Sequence, residues 1–428
     1  MKVLHVIPSL SLAQGGPSRA MRLIEQALLA RGIEVATATT DDDGPGRRIA
    51  TAAEMPLVDE FVGGPPLCPS GCPGRLVSNE IHRGGGAAPT GSTSLKIVRR
   101  YFPKRLEFYK VSPEFARWIF PHVRDYDLVH IHALFSFTSV AAAWAARRAG
   151  VPYVIRPLGT LNQYGVTQRR PWLKQLSLKL VEGPILRHAA AVHFTAEAER
   201  VEADAVGVPM RGVVVPLGVA PLTRQDASVF LQRFPQLSGR RIVLFLSRLD
   251  PKKNVEGLLQ AFSLVSESLT DTRLAIAGDG EPEYVAGLKR LADELGLADR
   301  VVWAGFVDGE LKAGAFAAAQ AFVLPSFSEN FGIAAAEALM AGLPCVLGEG
   351  VAIADEVARA GAGVVTAPDP QAVAQALRKL LGDDARLTEM AQRARALASG
   401  KYSLEAMGAN LHALYSRILA QNPTGQIE

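Results

Sequence analysis

Residues 2–8 read KVLHVIP, residues 15–17 read GGP and residues 33–39 read IEVATAT. The outer two are apolar runs of strand length. Between them Ala20, Leu23, Ile24, Ala27 and Leu28 recur at helical spacing, and Gly32 ends the repeat. Strand, glycine turn, helix and strand make a βαβ unit, and such units in series build a parallel sheet with helices on its faces. YDLVHIH (126–132), VPYVIRP (151–157), AAVHFTA (190–196) and GVVVPLG (212–218) extend this first set of strands. A second set starts at RIVLFLS (241–247) and continues through RLAIAG (273–278), VVWAGF (301–306), AFVLPS (321–326), LPCVLG (343–348) and GVVTAP (363–368), with helical segments between. The sequence predicts two Rossmann-like, doubly wound α/β domains over 1–220 and 221–400, and a terminal helix at 401–428 returning to the first. Ligands of such sheets lie beyond the carboxyl ends of the strands, so the loops there are expected to face a cleft between the domains. Residues 60–100, rich in Gly, Pro and Ser, read as a loop-rich insertion.

Composition narrows the class. A chain of 428 residues, 48% hydrophobic and 21% charged, is neither disordered nor fibrous and suits two or three domains. No apolar run reaches the roughly 18 residues of a membrane span, and MKVLHVIPSL lacks the layout of a signal peptide, so a cytoplasmic protein is expected. The charge of +4 is too weak and scattered for a nucleic-acid footprint. Three cysteines, Cys68, Cys72 and Cys345, make no disulfide framework. Cys68 and Cys72 with His82 lack a fourth ligand at zinc spacing, and no metal is expected.

Four stretches carry candidate chemistry. Ser326-Phe327-Ser328-Glu329-Asn330-Phe331-Gly332-Ile333 follows a strand and opens a helix that includes Glu337. Free backbone amides at such a helix start can hold a phosphate. The helical rise spreads this loop and Glu337 over about 9 Å, a spacing that suits hydroxyls at two ends of a polyol-bearing ligand. The bland alternative is a capping Glu and a solvated one. Arg248 and Lys253, in Ser247-Arg248-Leu249-Asp250-Pro251-Lys252-Lys253-Asn254, flank a proline turn after the second domain's first strand. Two cations there suit a diphosphate, although a polar turn with Asn254 as helix cap has the same sequence. Gly15 and Gly16 allow close backbone approach to a ligand but match neither GxGxxG nor a Walker loop. His130 and His132 share one strand face, and His132 comes last, at the carboxyl end. Gly278-Asp279-Gly280 reads as a turn that follows a strand.

Together the GGP loop, HIHALF, SRLDPKKN, GDGEPEY, WAGFVD and SFSENFGIAAAEALMAGLPCV resemble the family 4 retaining glycosyltransferases of GT-B fold, whose Glu-x7-Glu motif the last stretch matches. The resemblance implies a nucleotide-sugar donor, most often UDP- or GDP-linked, on the second domain, with a glycan or lipid-linked acceptor on the first. By that analogy Glu337 holds ribose hydroxyls and Glu329 a hydroxyl of the donor sugar. Arg248 and Lys253 neutralise the diphosphate, and Gly15 and Gly16 close over it. Asn330, Phe331, Gly332 and Ile333 border the donor, and His132 touches the transferred sugar. The resemblance implies no metal, no cofactor and no protein nucleophile. Two departures stand out: Pro157-Leu158-Gly159 replaces Pro-His-Gly, leaving Arg156 or Asn162 for that histidine's role, and Asn254 stands where glycine is usual.

The stretch 167–188 mixes Arg169, Arg170, Lys174 and Lys179 with Trp172, Leu173, Leu176 and Leu180. It reads either as a packed helix with a solvated basic face or as a peripheral contact with the anionic inner face of a membrane, extended by Arg99, Arg100, Lys104 and Arg105. Two rival functions keep the same residues: a sugar-nucleotide epimerase of GT-B-like fold, and a catalytically lapsed sugar-nucleotide-binding protein.

Overall fold

A computed structural model describes residues 1–11, 15–44, 46, 57–61, 97–161, 171–221, 226–266 and 268–421. Cys68, Cys72, His82, Asn162, Arg169, Arg170 and most of the 60–100 insertion lie outside the described residues. The chain forms two compact units, Met1–Gly218 together with the chain from Met407 onward, and Val219–Ala406.

Among the described residues the first unit holds eight strands: β1 Lys2–Ser9, β2 Glu34–Thr40, β3 Leu57–Phe61, β4 Ile97–Phe102, β5 Leu128–His132, β6 Tyr153–Arg156, β7 Ala191–Phe194 and β8 Gly212–Val214. They lie in the order β3-β4-β2-β1-β5-β6-β7-β8, and only the β3–β4 pair is antiparallel. The alanine-rich helix Phe137–Ala149 buries Ala141, Ala142, Ala143, Ala145 and Ala146, short side chains that let it lie close to its neighbours. Ser136 caps its start by accepting from the Ser139 amide at 3.3 Å, and Gly150 ends it at φ 72°. The last helix, Leu404–Gln421, meets the helix Gly16–Leu29 at Gly408, where an added Cβ would stand 2.8 Å from the Ala27 carbonyl oxygen.

The second unit holds β9 Arg241–Leu246, β10 Thr272–Ala277, β11 Val301–Gly305, β12 Ala321–Leu324, β13 Cys345–Gly348 and β14 Gly363–Thr366, all parallel. Their order, β11-β10-β9-β12-β13-β14, is the Rossmann order 3-2-1-4-5-6 counted within the unit. The winding reverses between β9 and β12 here, and between β1 and β5 in the first unit. A reversal sends the loops after its two strands to opposite faces and opens a crevice at their carboxyl ends. No helix among the described residues is long and apolar enough to cross a membrane.

Candidate functional site

At the reversal of the second unit, the loop after β9 is built rigidly. Asp250 accepts from the Lys252 amide at 3.0 Å and caps the short turn Pro251–Lys253. Asn254 then takes the left-handed conformation, φ 55° and ψ 47°, which asparagine tolerates better than most residues. Its amide donates to the carbonyls of Pro368 at 2.6 Å and Pro325 at 3.3 Å. Asparagine thus makes the turn that glycine usually makes and ties it to the end of β12. The β10 loop closes on the same turn: Leu249 donates to the Asp279 carbonyl at 2.8 Å, and Gly278 and Gly280 leave no room for a Cβ against the Ser247 and Leu249 carbonyls.

The loop after β12 is held from both sides. Phe327 donates its amide to Lys252 and Glu329 to Gly350, both at 2.9 Å, and Glu329 accepts from the Ala352 amide at 3.0 Å. Gly332, at φ 87°, turns the chain into the helix Ile333–Ala341, whose first amides have no partner within the helix. These constraints bring Lys253 and Glu329 together as an ion pair across 76 positions of sequence. Glu337, one turn into the helix, pairs with Lys312 at 2.7 Å. Arg248 is exposed and makes no ion pair or hydrogen bond among the described residues. Phe331 is buried edge-on against Tyr402, centroids 5.6 Å apart, so it offers a ligand its backbone alone. Asn330 is exposed and Ile333 half-buried beside it.

Two residues of this region carried no role in the sequence. Lys312 sits on the helix Gly309–Ala318, with no local signal that it meets Glu337. Ser326 is fully buried at the end of β12, and its hydroxyl has no partner among the described residues.

At the reversal of the first unit, strand registers align His5 with His130 and His132 with Arg156, and alternation puts all four on one face. His193 on β7 joins them, and all five side chains are buried. The hydrogen bonds fix part of the proton arrangement. The Val215 carbonyl can only accept, so His193 Nε2 donates to it at 2.8 Å. A neutral His193 then accepts at Nδ1 from His130 Nε2 at 3.3 Å, and His130 Nδ1 accepts from the Tyr415 hydroxyl at 2.7 Å. His130 is therefore a structural link between β5, β7 and the last helix. His5 Nδ1 and His132 Nε2 share a separate bond of 2.9 Å, leaving His132 Nδ1 and His5 Nε2 buried without partners among the described residues. Burial, helped by like charges nearby, pushes His5 and His193 down to about 3 and drives His130 and His132 well below the usual histidine range. Burial also lowers Arg156, to about 10.

His5, His130 and His132 bring ligand atoms within 4.8 Å of one another, a spacing a metal could use. The set spends one pair of nitrogens on a hydrogen bond and faces the Arg156 cation, which suits a dication poorly. Gly15, at φ 72°, caps the helix that starts at Gly16. Ser18, two residues on, is fully buried, and its hydroxyl has no partner among the described residues. A cavity of about 490 Å³ elsewhere in this unit, lined by Gln175, Lys179, Arg187, Glu202 and their neighbours, contains none of these residues.

The Glycosyl transferases group 1 family model matches residues 230–397, and the Glycosyl transferase 4-like domain model matches residues 15–218. The chain belongs to the GT4-type glycosyltransferases of GT-B fold. Phosphatidyl-myo-inositol mannosyltransferase of Mycobacterium leprae is 28% identical over 333 residues, 76% of this chain and 82% of that one. GDP-mannose-dependent alpha-(1-6)-phosphatidylinositol monomannoside mannosyltransferase of Mycolicibacterium smegmatis is 31% identical over 199 residues, 45% of this chain and 52% of that one. Among solved structures, Anabaena HepE in complex with UDP superposes with a TM-score of 0.72 at 18% identity, covering 97% of this chain and 100% of that one, a likeness of fold. As a GT4-type glycosyltransferase the chain is an enzyme of sugar transfer, and the two strand-order reversals are where its candidate residues collect.

Proposed function

We propose that the enzyme is a retaining, metal-independent transferase that moves a sugar from a UDP- or GDP-linked donor to a hydroxyl of a glycan or lipid-linked acceptor. The observation that carries this reading is the Lys253–Glu329 pair at the β9–β12 reversal, with Arg248, which has no partner among the described residues, on the loop that carries Lys253. Cleaving the bond from anomeric carbon to phosphate develops negative charge on the leaving diphosphate. Fixed cations and helix-start amides act where that charge appears. Arg248 and Lys253 take the diphosphate, Glu329 a sugar hydroxyl and Glu337 the ribose. Gly15 and Gly16 close over the phosphates, and His132 serves the sugar. When Lys253 turns to a phosphate, Glu329 is released to accept from the sugar. No side chain is assigned as nucleophile, and a donor phosphate oxygen takes the acceptor proton.

The acceptor reading rests on the relatives named for phosphatidylinositol-based substrates and on one surface of the first unit. Trp172, Leu176 and Leu180 are exposed at intervals of four, with Lys179 and Arg187 exposed beside them. The Tyr109 hydroxyl donates to Glu182 and so fixes the loop that carries exposed Leu106 and Phe108 to the same helical segment. Apolar side chains with adjacent cations suit a peripheral seat on an anionic membrane, at its cytoplasmic face. Arg99 and Lys104 are corrections to the sequence-based extension of this patch: they are buried, paired with Glu25 and Asp42.

A thermal-shift screen against UDP, GDP, ADP and their sugar conjugates, with and without chelator, tests the donor reading. At a hundredfold excess over Kd, binding adds about 2.7 kcal/mol. A shift with one diphosphate series, unchanged by chelator, is expected. Silence with every nucleotide would defeat the assignment.

A further inference from the structure

Arg156 is a buried cation that the reaction scheme leaves unused. It closes β6 in register with His132 and is 4% exposed. It makes no ion pair or hydrogen bond among the described residues, and its Nε is buried without a partner. The acid that acts on it, Glu199, is committed elsewhere: it accepts from the Gly159 amide at 3.0 Å, the Thr195 amide at 2.7 Å and the Thr195 hydroxyl at 2.8 Å. A buried guanidinium left without hydrogen bonds costs stability, so its retention calls for a ligand that supplies them. Of the two histidine nitrogens of this face without a partner among the described residues, His132 Nδ1 lies on the adjacent strand, about 4.8 Å away in strand spacing, and His5 Nε2 one strand further. If His5 Nδ1 donates to His132 Nε2, a neutral His132 carries its proton on Nδ1 and presents a second N–H. Backbone strain marks the same spot. Ala133 at φ 99°, Phe135 at φ 54° and Leu158 at φ 58° follow these two strand ends, three of the six left-handed non-glycine residues described.

We propose that Arg156, flanked by His132 Nδ1, anchors a phosphate ester carried by the acceptor. Donors converging from two strands suit a group with three oxygens, and the guanidinium fork gives it direction. The proposal rests on the glycosyl-transfer reading and adds the acceptor's chemical class and the residue that reads it. Arg156 is the specificity residue here, and the anion sits next to the histidine assigned to the sugar.

The test uses the full chain with UDP at saturation, so that the diphosphate site of the second unit is filled. Inorganic phosphate is then titrated by thermal shift into wild type, Arg156→Met and Arg156→Lys. The half-saturating phosphate concentration is expected to rise about tenfold or more in Arg156→Met, and by less in Arg156→Lys, which keeps the charge and loses the fork. In phosphate-free buffer Arg156→Met should melt at or above the wild-type temperature, because it removes an unpaired buried charge. An unchanged phosphate midpoint in Arg156→Met, no phosphate effect on wild type, or a loss of more than about 5 °C in phosphate-free Arg156→Met overturns the proposal. The UDP shift reports separately on the donor reading: its absence from wild type would sink that reading without touching the phosphate result. Vesicles of phosphatidylcholine with and without phosphatidic acid distinguish the sources. Arg156-dependent retention by the acidic vesicles assigns the phosphate to a lipid headgroup, and response to soluble phosphate alone assigns it to a soluble ester.

Discussion

The buried histidines predict an acid sensitivity confined to one half of the protein. His5, His130, His132 and His193 are held neutral by burial, with Arg156 facing them from β6, itself acted on by Glu199, and Tyr415 bonded to His130 from the last helix. An unfolded histidine binds its proton below about pH 6.5, whereas these bind theirs far lower. Between those limits the unfolded state holds more protons, so stability falls as pH falls through 6.5. At pH 5.5 each such histidine costs somewhat more than about 1 kcal/mol, and the four together roughly 6 kcal/mol. That is a large part of the 5–15 kcal/mol by which domains are normally stable.

All eight histidines of the chain lie in the first unit, and Val219–Ala406 contains none, so the second unit is an internal control. Trp118, Trp144 and Trp172 report on the first unit and Trp303 on the second. Melting followed by tryptophan fluorescence at pH 7.5 and 5.5 should show the first-unit transition falling by roughly 12–24 °C, from about 2–4 °C per kcal/mol at this size. His193→Gln sharpens the test, since an amide can still donate to Val215 and accept from His130 without titrating. It should recover about a quarter of the drop. A first-unit transition that stays level between the two pH values, or a drop untouched by His193→Gln, would refute the neutral-layer argument.

Other outcomes follow from the second unit and the surface. Lys253→Ala and Glu329→Ala should each lower turnover of the nucleotide-sugar donor by about tenfold or more with the melting temperature kept, since on the proposed reading Lys253 neutralises the charge developing on the leaving diphosphate and Glu329 holds a hydroxyl of the donor sugar. Gly278→Ala drives a Cβ into the Ser247 carbonyl at φ 143°, so the second-unit transition in calorimetry should lose about 1–3 kcal/mol and affinity for the donor diphosphate should weaken with it. Leu176→Glu with Leu180→Glu should abolish co-sedimentation with anionic vesicles and leave melting within about 2 °C, because both side chains are already exposed. Equal sedimentation of wild type with neutral and anionic vesicles would remove the membrane seat.

The βαβ units were legible because their evidence is local: apolar runs, a helical repeat and glycine stops within forty residues. Strand β4 was not, since IVRRYF looks half-solvated until Glu25 turns up against Arg99, 74 positions away. The sites divide the same way. Alternation puts His130 and His132 on one face from sequence alone, while His5 and His193 reach that face only through strand register, which no local pattern encodes. Lys312 has no signature at all, because a lysine on a helix is ordinary until Glu337 is found beside it.

Register also explains why the two units handle charge in opposite ways. In the second unit both glutamates of the motif lie on lysines, in pairs whose side chains are 13–24% exposed, and of the nominated cations there only Arg248 has no partner among the described residues. Such pairs cost little to exchange, because water and an incoming phosphate can both reach them. On the proposed reading Arg248 meets the diphosphate first and Lys253 follows. At its own strand-order reversal the first unit instead buries Arg156 with neutral histidines and commits the acid that acts on it, Glu199, to backbone and hydroxyl donors. A pair that can exchange suits a donor that arrives and leaves in every cycle. A fixed, unpaired cation suits a group that must be recognised by its charge, and that contrast is what places the acceptor's phosphate at Arg156.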